Sequence, residues 1–129
     1  MRVPLTLLRT ATLLPVLGCL DPFAPPIGTH RIDPPPAYRT AWQTVEDCSG
    51  LHGDFNRVIW YLIPQPFYRC GERNCLGTWK PPHNIYLSAI AAVDSGSRYF
   101  TVRHEILHDL LGGGSDHPTV FATCGLRRT

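Results

Sequence analysis

The sequence predicts an α+β domain in which a helix and a small mixed sheet pack on a second, buried helix. Three observations lead there. Tyr38, Trp42 and Val45 fall at i, i+4 and i+7, the period of an amphipathic helix. Residues 55–63 are β-branched and aromatic and stop at Pro64, the pattern of a central strand. Residues 97–111 are apolar nearly all round, except for a narrow strip bearing His104, Glu105 and His108, and they end at Gly112-Gly113-Gly114. That reads as a buried helix with a glycine stop.

With 129 residues, one domain is expected. Residues 1–18 read as a signal peptide: Arg2 and Arg9 supply the positive region, residues 10–17 a short apolar core, and Gly18 a small residue at the cleavage site. That core is shorter than the roughly 20 apolar residues a membrane span requires. Val16-Leu17-Gly18-Cys19 is similar to the lipobox of bacterial lipoproteins. The expectation is therefore export to the cell envelope with Cys19 lipidated and holding the chain to the membrane, the alternative being plain secretion. Net charge is +2, but once Arg2 and Arg9 leave with the leader ten cations balance ten acids. Nothing in that balance suggests a nucleic-acid partner.

Residues 19–36 hold the Cys and six prolines with little apolar periodicity, and read as a tether. The domain is expected over 37–129. Its first helix covers 37–47, with Pro36 at the start and Ser49-Gly50 after the end. The strand at 55–63 follows. Next comes an irregular, proline-rich stretch in which Gly77-Thr78-Trp79 can add a short strand. Residues 83–88 alternate, with Ile85 and Leu87 on one face and Asn84 and Tyr86 on the other. Asp94-Ser95-Gly96-Ser97 supplies turn residues and an N-cap before the second helix. Setting Cys19 aside leaves Cys48, Cys70, Cys75 and Cys124. Four cysteines in an exported domain suggest two disulfides with three possible connectivities. The short Cys70–Cys75 loop can close on itself, leaving Cys48 for Cys124.

The chemistry centres on His104-Glu105-x-x-His108. Four residues apart on a helix is about 40° around its axis, so both imidazoles can address one metal ion. This pattern on a helix is a zinc site in which two His hold Zn2+ and the Glu is general base. A catalytic zinc takes three protein ligands. His117, nine residues beyond His108 across the glycine run, is the expected third, because glycine lets the chain fold back. Asp116 is the alternative. No Glu follows Glu105.

These residues resemble the zincin metallopeptidases, in metzincin-like order but with a longer spacer to the third ligand. Leu111 stands where that pattern has Gly, and Gly114 where it has His. There is no methionine after Met1 to form a Met-turn. The resemblance implies a zincin-like minimal domain that hydrolyses peptide or protein substrates. Glu105 would take a proton from water activated at the metal and pass it to the leaving amine. It also implies that the edge strand before the active-site helix binds substrate by strand addition, the place occupied by Asn84, Ile85, Tyr86 and Leu87. Support for the carbonyl oxygen is not assignable from the sequence: Tyr86, Tyr99 and His83 are candidates, but each reads first as a structural or surface residue. The alternative reading is a non-catalytic, disulfide-stabilised envelope lipoprotein with a structural zinc or no metal.

Overall fold

The computed structural model describes residues 23–127. Signal peptide, cleavage site and Cys19 lie outside that range. Its elements are β1 (His30–Ile32), α1 (Pro36–Ser49), β2 (Ile59–Ile63), β3 (Tyr68–Cys70), β4 (Arg73–Cys75), β5 (Gly77–Lys80), β6 (Asn84–Ser88), α2 (Ala89–Ala92), α3 (Phe100–Leu110) and α4 (Thr119–Thr123). The protein is mixed α+β, with a four-stranded sheet in the order β1-β2-β6-β5 and a separate β3-β4 hairpin. β2 and β6 run parallel, and both outer pairings are antiparallel.

The period-two alternation of the strands assigns the two faces of the sheet. Trp60, Ile85 and Leu87 point to the face covered by α1 and α3, where they join Tyr38, Trp42, Val45, Val102, Ile106 and Leu107 in one core. Fully burying such side chains stabilises by about 1.5–3 kcal/mol each. On the opposite face Ile63 packs with Phe23 and Tyr68, while Tyr61 and Tyr86 stack with centroids 4.5 Å apart. α1 carries Pro at its first position and ends on left-handed Gly50, whose N–H donates to the Glu46 carbonyl. Cys48–Cys124 ties the end of α1 to the chain just after α4. Cys70–Cys75 closes the β3-β4 hairpin.

Four expectations need correction. Residues 23–36 are not a tether. β1 pairs with β2, with His30 opposite Leu62 and Ile32 opposite Trp60, and Phe23 is buried. Prolines are tolerated beside a short edge strand because its outer N–H groups need no partner. The second correction concerns β6, which is not an edge: it is hydrogen-bonded to β2 on one side and β5 on the other. Asn84, Ile85, Tyr86 and Leu87 therefore have no free backbone edge to offer a substrate, and the edge beside α3 belongs to β5. Third, α3 starts at Phe100 rather than 97, because Arg98 and Tyr99 adopt left-handed conformations (φ 53° and 56°). Likewise β2 begins only at Ile59, since Phe55–Arg57 is a 3-10 turn capped by the Asp54 carboxylate.

Candidate metal centre

α3 supplies the first part of the site. Val102, Ile106 and Leu107 are fully buried, and anchoring that side fixes the direction of the opposite strip. His104 and His108 project from this strip with ring centroids 5.0 Å apart. Past Leu110, Gly112, Gly113 and Gly114 all take positive φ (75°, 104° and 104°). A Cβ on Gly113 would lie 2.4 Å from the Trp79 ring, so the turn requires glycine there on both backbone and packing grounds. This turn returns His117 to the helix.

The three imidazoles converge. The candidate ligand atoms of His104, His108 and His117 all lie within 4.8 Å of one another, and His117 Nε2 stands 3.1 Å from His104 Nε2. Tetrahedral nitrogen ligands about 2.0–2.1 Å from zinc would stand roughly 3.3–3.4 Å apart. His104 Nδ1 lies 2.8 Å from the Leu126 carbonyl oxygen. A carbonyl can only accept, so Nδ1 carries the proton and Nε2 presents its lone pair to the cluster. Three imidazoles so arranged can hold a divalent metal ion. Asp116 lines the adjoining cleft but is outside this triad.

Burial sets the charge state. His108 is pushed down to about 4, first by desolvation and then by the neighbouring His104 and His117, with the Gly114 backbone opposing. Its Nδ1 is buried without a well-formed hydrogen bond, although that Gly114 backbone is close enough to favour the protonated ring. A neutral imidazole is the form a metal requires.

Glu105 is buried and lines a cleft of about 640 Å³ together with His104 and His117. Gly77 at the start of β5 makes room for it: a Cβ there would fall 2.9 Å from Glu105 Oε1 and 2.6 Å from Thr101 Cγ2. The neighbouring Tyr68 phenol is raised above its ordinary value, chiefly by burial. A hydrogen bond with Thr78 works against the rise, and the charge of Glu105 adds to it. Arg73, Asn74 and Cys75 of the disulfide-closed hairpin form another wall of the cleft.

Several parts of the site were not assigned from the sequence. The buried Phe121 ring lies beneath the triad, its centroid 4.9, 4.8 and 4.7 Å from those of His104, His108 and His117. Arg127 donates to the His117 carbonyl at 2.9 Å. Asp109 is buried and accepts from Trp79 Nε1 at 2.8 Å, with His83 Nδ1 at 3.0 Å. That arrangement fastens α3 to β5 and to the approach to β6. It also occupies His83, while Tyr86 stacks on Tyr61 and Tyr99 packs edge-on to Tyr38. None of these three residues lines the cleft, in keeping with a structural or surface role. No family model, curated protein or solved structure matches this chain.

Proposed function

We propose that the protein is a zinc-dependent metallopeptidase of zincin type, exported and held at the cell envelope by a lipid on Cys19. The observation that carries the metal reading is the 3.1 Å approach of His104 Nε2 to His117 Nε2 with the first nitrogen held as a lone-pair donor. Adjacent lone pairs repel unless a proton or a cation lies between them, and the third imidazole favours the cation. Bound zinc would supply Lewis acidity towards water and a substrate carbonyl. Glu105, in the cleft beside His104 and His117, is the group to accept the proton of the attacking water and deliver it to the leaving amine. A purely structural site has no need of a buried carboxylate there. The role of substrate strand passes to β5, which forms the edge of the sheet next to α3. Two disulfides suit an exported chain.

The test uses the full chain. Purified protein should hold close to one equivalent of zinc, and less than roughly a tenth of an equivalent would sink the metal reading. His117→Ala should release the metal far more readily than Asp116→Ala; the reverse order would make Asp116 the ligand. Glu105→Gln should retain zinc while peptide cleavage falls by about a hundredfold or more. Cleavage undiminished by that change would remove Glu105 from the mechanism.

A further inference from the structure

A second cavity lies on the other side of α3, between its first turn and α1. It is open to solvent on one side and has a volume of about 440 Å³. Arg98 and Arg103 line it, with the hydroxyl-bearing Thr40, Thr44, Ser95 and Tyr99 around them. Neither arginine has an acidic partner among the described residues, where the two ion pairs present both involve histidine. Asp94, the acid closest in sequence to Arg98, turns its carboxylate onto Ser97, and Glu105, the closest to Arg103, lines the histidine cleft instead. Arg103 Nε is buried and has no hydrogen-bond partner. By contrast, Arg39 on α1 is satisfied by Asn56 and by the Phe55 ring. Arg98 lies close enough for its charge to act unfavourably on Arg103, and the orphaned Arg103 N–H costs stability. A bound anion relieves both.

We propose that this cavity binds a phosphate group, either as a soluble phosphate ester or in the headgroup of an anionic lipid. Arginine presents a planar fork of donors that matches phosphate oxygens in pairs. Two forks with hydroxyls beside them provide for a doubly charged oxyanion better than for a single carboxylate. The volume exceeds what a free phosphate ion fills, leaving room for the ester. The site is independent of the metal reading, since neither arginine lines the histidine cleft. Because Arg103 directly precedes His104 on α3, occupancy would be felt at the start of the metal-bearing helix.

The experiment follows the arginine Nε–H signals of the full chain, isotopically labelled, as inorganic phosphate is added at constant ionic strength. The expected result is a saturable shift at Arg98 and Arg103 with a dissociation constant in the millimolar range or tighter. Arg98→Ala, at an exposed position, should weaken it by roughly tenfold, and adding Arg103→Gln should abolish it. Reading the signals in the unmodified chain keeps the test valid even where the double substitution impairs folding. Shifts no larger than those produced by acetate, or unchanged by Arg98→Ala, would overturn the proposal. Repeating the titration with short-chain phosphatidylglycerol and with glycerol phosphate identifies the source: whichever binds tighter carries the natural form of the phosphate.

Discussion

His104 Nδ1 sits 2.8 Å from the carbonyl oxygen of Leu126, so the last described turn of the chain determines which nitrogen of a histidine on α3 faces His117 and the candidate metal site. Such outer partners fix ring orientation and tautomer, and losing one typically costs about 10–100-fold in metal affinity. Ending the chain after Cys124 preserves the Cys48–Cys124 bond but removes that carbonyl. Zinc affinity, measured by competition with a chromophoric chelator, should fall by that factor. Leu126→Ala is the control, because the side chain is fully buried but the carbonyl is backbone. It should cost about 2–5 kcal/mol of stability while leaving zinc affinity nearly unchanged. If both variants lose zinc equally, packing rather than the hydrogen bond orients His104.

The parts of this site that were legible in the sequence are those whose signal is local. Helical spacing put His104 and His108 on one face, and the glycine run announced a reversal that returns His117. The stripe of Tyr38, Trp42 and Val45 marked the buried face of α1, and alternation gave the faces of β6. Edge status was not legible, because it depends on which strands lie alongside: β5 is only four residues long and contains a glycine, yet it displaces β6 from the edge. β1 is a three-residue strand set among prolines, too short for any periodicity to show. Phe121 and the Leu126 carbonyl reach the histidines only through the tertiary fold. An apolar residue in a short helix and a backbone oxygen carry no distinctive signature.

Phe121 is a buried ring against all three imidazoles, and α4, which carries it, is anchored by the Cys48–Cys124 bond just beyond its end. Replacing it with alanine leaves a cavity beneath the cluster and should cost about 3–5 kcal/mol, read from the denaturant midpoint. The histidines would also lose the surface that restrains their rings, so zinc affinity should drop in the same variant. Phe121→Leu should recover part of the stability. Unchanged zinc affinity in a folded Phe121→Ala protein would limit the ring to a role in the core.

His108 gives the metal-free protein a definite pH dependence. Its folded value of about 4 lies below the ordinary 6.5, chiefly because burial disfavours the charged ring. As pH falls through about 6.5 the unfolded chain takes up a proton that the folded chain still refuses, so the unfolded state gains stability. This contribution to folding is therefore complete above about 6.5, declines as pH drops towards about 4, and is fully lost below that value. Urea midpoints of the metal-free chain across this window should fall with pH, and the slope belonging to this group should vanish in His108→Gln. Zinc needs the same neutral ring. It should consequently remain on His108 at a lower pH than an ordinary histidine would allow, which a chelator competition at pH values between about 4 and 6.5 would reveal. A flat stability profile through that interval would mean that His108 is readily protonated in the folded state, and burial would then not be what keeps it ready for a metal.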